Sequence, residues 1–338
     1  MKKYFILTSI AFFISCSGTK KVSDNSNPEK YLAAISESDL KTNLYVIASD
    51  EMEGRETGSE GQKKAGRYLI EQYKKYGIPF PKGANSYYQH VPAEFMNKKY
   101  GEKLGDSENI WAFIEGSEKP EEIVVVSAHY DHVGIKNGEI YNGADDDGSG
   151  TVAILEIAKA FAKAKKEGHG PKRSVLILHV TGEEHGLHGS RYYSENPLFP
   201  LANTVADVNI DMIGRRDDKH KDTNDYIYVI GSDYLSSDLH NICESVNARY
   251  LNMAFDYTFN DRNDPNRFYY RSDHYNFAKN GIPSVFFFSG IHADYHKPGD
   301  EVEKIEFDAL TKRTKLSFAV AWEIANRPNR LVVDKDGK

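Results

Sequence analysis

The sequence predicts an α/β fold: a three-layer, mostly parallel, doubly wound mixed sheet with helices on both faces. Three observations lead there. Strand-like apolar runs alternate with helical ones along the 338 residues, the order that builds parallel strands joined by crossover helices. The run Ile123-Val124-Val125-Val126 is continuously apolar, as a strand covered on both faces must be. Acids and histidines then gather where such runs end, which is where open α/β sheets bind ligands.

Taken in order, Tyr31 to Ile47 and Glu60 to Tyr76 carry helical spacing, the second opening at Ser59 as N-cap and closing at Gly77. Asn109 to Ile114 and Ile123 to Ser127 predict strands. Gly150 to Lys166 repeats apolar residues at three and four and predicts a helix. Ser174 to Val180, Thr204 to Ile210, Tyr226 to Ile230 and Ser284 to Phe288 predict further strands. Helices are expected near Leu235 to Val246 and Asp308 to Ala325. Residues 31–330 show no internal repeat and read as one catalytic domain, followed by a polar tail, 331–338. Residues 17–30 are polar and contain a proline, the composition of a flexible tether.

A formal net charge of -7 and the lack of a basic stripe exclude nucleic acid as the main partner, since phosphate binding needs clustered Lys and Arg. The N-terminus pairs Lys2 and Lys3 with an apolar stretch running to Cys16, too short to stay in a bilayer as a spanning helix. With small Ser15 ahead of it, Cys16 resembles the acylated cysteine of a bacterial lipoprotein signal, although Phe13 stands where Leu is usual. The expectation is an exported protein, anchored to the membrane only through lipidated Cys16 on the periplasmic side of the envelope. An ordinary secretory signal cut elsewhere is the competing reading. Cys243, in a helix-like run, is expected to be a buried thiol.

Five segments carry the chemistry. His129 and Asp131 stand two apart at a strand end, where the acid can fix the imidazole tautomer, as metal ligands require. Asp145-Asp146-Asp147 lies in N-G-A-D-D-D-G-S-G. An EF-hand loop does not fit, because with Gly148 in register the twelfth position is Ile154 instead of Glu. Three adjacent carboxylates repel one another, and a divalent cation would offset that. Glu183-Glu184 offers one acid to a metal and one as base, or else two exposed acids at a helix start. His185 and His188 read as wall or surface residues. Asp211 interrupts apolar V-N-I-D-M-I and needs either a cation or a partner such as Arg215. Tyr295-His296 sits in D-Y-H-K-P-G-D. Imidazoles and carboxylates in this mix suit zinc.

Together these segments resemble the di-zinc family of leucine aminopeptidases and glutamate carboxypeptidases, to which glutaminyl cyclases are related. The resemblance runs from S-D-E-M-E-G-R-E-T-G-S-E-G through R-S-D-H-Y-N-F-A-K-N-G-I-P to H-K-P-G-D, and it implies a zinc-peptidase-like sheet. It makes His129 and Asp211 ligands of one zinc, Glu184 and His296 ligands of a second, and Asp146 the bridge. Spacing alone leaves Asp145 and Asp147 open as the bridge. Glu183 is implied as general base, Asp131 as orienter of His129, and Tyr295 as oxyanion stabiliser, with a cis peptide after Asp146. The implied activity is a two-zinc aminopeptidase acting on peptides. Three rivals stand beside it. One is a one-zinc glutaminyl-peptide cyclotransferase, although the two tryptophans, Trp111 and Trp322, fall outside the site segments. Another is a carboxypeptidase or dipeptidase using Arg215, Arg216 or Arg271. The last is a non-catalytic binding lipoprotein.

Overall fold

The computed structural model describes residues 28–100 and 103–337; Cys16, the signal segment and the tether up to residue 27 lie outside them. The helices are α1 (Glu29–Leu32), α2 (Glu37–Ile47), α3 (Glu60–Tyr76), α4 (Ala93–Tyr100), α5 (Gly150–Lys166), α6 (His188–Glu195), α7 (Ser237–Val246), α8 (His274–Ala278) and α9 (Phe307–Asn326). The strands are β1 (Tyr88–Val91), β2 (Ser107–Ile114), β3 (Lys119–His129), β4 (Ile135–Lys136), β5 (Glu139–Ile140), β6 (Arg173–Val180), β7 (Thr204–Ile210), β8 (Tyr226–Ile230), β9 (Ala254–Asp256) and β10 (Ser284–Phe288).

Eight strands form one sheet in the order β1-β2-β6-β3-β7-β10-β8-β9, and β4-β5 is a separate hairpin. The centre, β6-β3-β7-β10, is parallel. Towards the edges β2 joins β6, β1 joins β2 and β8 joins β10 antiparallel. Alternate side chains of β3 serve opposite faces. Val124 and Val126 belong to the core shared with α2, α3, α5, α7 and α9, while Ile123 and Val125 belong to the core on the other face with Tyr193 and Phe277 of α6 and α8. That two-sided burial is why the strand reads as unbroken apolar sequence.

Several boundaries move from the sequence expectation. The first predicted helix breaks in two, because the Ser36 side chain accepts from the Asp39 N–H and starts a new helix there. The expected tether ends earlier: Lys30 pairs with Glu167 at 2.6 Å and Tyr31 is buried, so residues 28–30 belong to the folded body. The polar tail also docks in part. Leu331 is buried, and Asp334 accepts from the Ser237 N–H at the start of α7. Cys243 is buried, and burial pushes its thiol up.

Arg55 fixes the site's approach. It is fully buried and donates to four main-chain carbonyls: Ile47 at 2.8 Å, Tyr130 at 3.0 Å, Asn142 at 2.6 Å and Gly143 at 2.9 Å. One guanidinium thereby ties the end of α2, the end of β3 and the loop entering the triple-aspartate turn. Burial pulls its pKa down to about 10, and Asp300, Asp146, Asp147 and Asp131 oppose that pull, so it stays charged. Replacing it with Met strands those carbonyls in the interior. Arg55→Met is expected to cost about 3–5 kcal/mol, read as a lower urea midpoint at unchanged m-value.

Candidate metal centre

All the sequence-derived site residues meet at one end of the parallel strands. His129 ends β3, Glu183 and Glu184 follow β6, Asp211 follows β7, and Tyr295 and His296 lie in the loop after β10. The triple-aspartate turn precedes α5. A parallel sheet presents all its carboxyl ends on one edge, so side chains distant in sequence converge there.

Two groups of potential ligands result: His129, Glu183 and Asp211, and beside them His132, Asp146 and Glu184. Asp146 joins the two. Its Oδ1 lies 3.3 Å from His129 Nε2, and its Oδ2 lies 3.0 Å from His296 Nε2. Asp211 Oδ1 is 3.7 Å from His129 Nε2, and Glu184 Oε2 is 2.9 Å from His296 Nε2. Each neighbouring acid commits one oxygen elsewhere. Asp145 accepts from the Gly214 N–H at 2.6 Å, and Asp147 accepts from Gly150 and Met212 N–H groups at 2.8 and 3.1 Å. Asp300 accepts from the N–H groups of both Asp145 and Asp146 and so holds the turn from behind. The Asp146–Asp147 peptide is cis. Gly143, at φ +55°, is needed here: a Cβ would fall 2.3 Å from Asp146 O and 2.4 Å from the His132 ring.

His132 is the residue that sequence reasoning missed. Its Nδ1 stands 2.8 Å from Glu184 Oε1 and 3.8 Å from Asp146 Oδ2. The signal was in H-Y-D-H, but strand alternation would send His132 away from His129. The chain instead leaves the strand after Tyr130, and the His132 N–H bonds Arg55 O at 3.1 Å. A second correction concerns Asp131. His129 Nδ1 meets its main-chain oxygen at 3.1 Å, whereas its carboxylate lies at 3.7 Å and accepts from Thr57 Oγ1 and the Glu183 N–H. Asp131 therefore steadies the ring through its backbone. Asp211 is not paired with Arg215, which bonds Asp294; Asp211 accepts from Ser272 Oγ at 2.7 Å. His185 contacts Glu56 at the wall, but His188 is buried, contrary to a surface role.

The donor set fits a divalent metal. His129 Nε2, both ring nitrogens of His132, Asp146 Oδ2 and Glu184 Oε1 are buried without a hydrogen-bond partner, each worth about 1–3 kcal/mol if left so. His132 and Glu184 approach closely, yet their geometry makes no hydrogen bond; one ligand atom each of His132, Asp146 and Glu184 lies within 4.8 Å of the others. Electrostatics agree. Burial would lower His129 and His296, but the surrounding acids overcome it, raising His129 well above its usual range and His296 to about 10. Burial would raise Asp146, yet its contacts with His129 and His296 hold it well below the carboxylate range. Burial pushes Glu183 well up against the pull of His129, and Asp211 and Glu184 add to the rise.

Glu183, Asp146, Asp211 and Tyr295 also line a cavity walled by Met212, Phe268, Phe286, Phe288 and Ile291, with Arg271 beside them. Neither tryptophan lines it. Burial and the nearby Asp146, Glu184 and Glu183 push the Tyr295 hydroxyl up, so it stays protonated and can donate. Its ring stacks on His296 at 3.9 Å.

Comparison with known proteins agrees with this arrangement. Residues 109–321 match the model of peptidase family M28. A probable leucine aminopeptidase of Trichophyton verrucosum is 32% identical over 225 residues, covering 64% of this chain and 57% of that protein. The chain spans about half the length of the curated relatives it matches. The LapA aminopeptidase of Legionella pneumophila superposes with a TM-score of 0.69 at 20% identity, covering 97% of this chain and 81% of that one. The glutaminyl cyclase of Porphyromonas gingivalis superposes at 0.65 with 18% identity, covering 84% and 97%. At such identities these two show a shared fold.

Chelation should expose the charge that a bound cation would offset. Stripping metal with a chelator is expected to lower the melting midpoint by about 5–10 °C, with recovery on adding zinc, read by scanning calorimetry.

Proposed function

The chain belongs to peptidase family M28, and from that premise we propose that it is a zinc-dependent aminopeptidase releasing N-terminal residues from peptides. The observation that carries the reading is Asp146, whose two carboxylate oxygens face His129 and His296, with Glu183 beside it lining an apolar-walled cavity.

His129, Asp211 and Asp146 would hold one zinc, and Asp146, Glu184 and His296 a second, with His132 adjoining the latter. Zinc bound there would polarise a substrate carbonyl and bring the pKa of a water towards neutrality. The rest falls to the chain's own groups. Glu183, its proton affinity raised by burial, takes the proton of the attacking water and returns it to the leaving amine. Tyr295, kept protonated, donates to the carbonyl oxygen as charge develops on it. Asp131 holds the His129 ring through its main-chain oxygen. Phe268, Phe286, Phe288, Met212 and Ile291 give the space beside Glu183 and Tyr295 an apolar wall.

A cyclase reading draws on the shared fold, but fold alone does not choose a reaction, and the cavity wall is phenylalanine without tryptophan. A carboxypeptidase reading is weakened because Arg215 and Arg216 are engaged by Asp294 and Glu306; Arg271 alone among the three lines the cavity. No helix among the described residues is long and apolar enough to cross a membrane. The N-terminal sequence supports export and anchoring through Cys16.

A panel of aminoacyl anilides, dipeptides and a Gln-initiated peptide tests the reading, with anilide cleavage expected; pyroglutamate formation without it would contradict it. Glu183→Gln is expected to keep its zinc while turnover falls about 10²–10⁴-fold, read by elemental analysis beside initial rates.

A further inference from the structure

At the end of the molecule opposite the metal centre, the C-terminal turns of α3 and α5 enclose an open groove of about 690 Å³. Six lysines line it, Lys74, Lys75, Lys159, Lys163, Lys165 and Lys166, and no acid does. Lys159 is paired with Asp39 and Glu156. Among the described residues Lys74, Lys75, Lys163 and Lys166 are exposed and form no close ion pair, although Asp39 lies near Lys75 and Glu167 near Lys163. The floor is apolar, with Ile78, Pro79, Phe113 and Ile114, and Phe80 beside it is 36% exposed. No basic stripe is visible in the sequence because these lysines come from two helix ends far apart along the chain.

The chain enters its folded body at this same place. Lys30 and Tyr31 bond Glu167, the residue after α5, and Tyr31 also bonds His169. The preceding segment carries an apolar run ahead of Cys16, then Lys20 and Lys21. Between Cys16 and Pro28 the chain can reach at most about 40 Å. Charge attraction acts only within about 8 Å in physiological salt, so a lysine face is drawn to a bilayer only where a tether of this reach brings it close. The 17 residues of α5 span about 25 Å, and their other end abuts the triple-aspartate turn.

We propose that this lysine-lined face docks on the anionic lipid headgroups of a membrane, leaving the metal cavity turned away from the bilayer. The groove is open and its floor apolar, with an exposed phenylalanine at its side, which suits a lipid surface. The proposal rests on the N-terminal anchor and is independent of the peptidase reading.

The test is residue-resolved acetylation of the full chain, free and on vesicles of phosphatidylglycerol with phosphatidylcholine, or of phosphatidylcholine alone. On anionic vesicles, Lys74, Lys75, Lys163 and Lys166 are expected to react at least about fivefold more slowly, with recovery in high salt. Lys297, beside His296, should keep its rate. The Lys74→Glu, Lys163→Glu, Lys166→Glu variant should return Lys75 to its free rate without altering anilide turnover. Equal protection on neutral vesicles, protection by inorganic phosphate alone, or failure to associate with anionic vesicles would each overturn the proposal.

Discussion

Buried negative charge at the carboxyl edge of the parallel strands is the constraint around which this molecule is built. Asp131, Asp145, Asp146, Asp147, Asp211, Asp273 and Asp300 are all buried there, with Glu183 and Glu184 largely so. Two unit charges 4 Å apart interact by about 4 kcal/mol at an effective dielectric near 20, so such a crowd is tolerable only if each acid is answered. The structure answers them unequally. Asp131, Asp145, Asp147 and Asp300 accept main-chain N–H groups. Asp273 is pushed up to about 7, chiefly by burial, and takes a hydrogen bond from Ser190. Asp146 and Glu184 face imidazoles and each keep a buried oxygen without a hydrogen-bond partner, as do Asp145, Asp147 and Asp273, while Asp211 takes a hydrogen bond from Ser272. The Asp146 and Glu184 oxygens lie within the ligand groups, where a dication suits them.

The supporting shell explains why the acids do not relax apart. Arg55 clamps the loop entering the turn to the ends of α2 and β3, Asp300 pins the turn's N–H groups, and Ser272 holds Asp211. Each attachment comes from a different element, so the site is specified by the whole sheet edge and not by any one loop. The antiparallel outer strands contribute no ligand. They complete a sheet whose parallel centre gathers the chemistry at one edge.

Much of this was legible in the sequence, for identifiable reasons. β7, β8, β10, α3 and α5 were readable to the residue because apolar periodicity and caps such as Ser59 and Gly77 act locally. The short β1 and β9 were not, since their register comes from neighbouring strands. Asp146 could not be separated from Asp145 and Asp147 by spacing; the N–H groups of Gly150 nearby and of Met212 and Gly214, remote in sequence, set the three apart. His132 escaped because strand alternation assigns it to the wrong side, and the turn that corrects this depends on Arg55. The lysine face escaped for the same reason: it exists only once two helix ends meet.

Diffraction from crystals of the zinc-loaded chain, recorded across the zinc absorption edge, tests the central claim most directly. Two anomalous peaks about 3.5–4 Å apart, with Asp146 between them, are the predicted result. A single peak, or peaks that leave Asp146 without a metal contact, would contradict it.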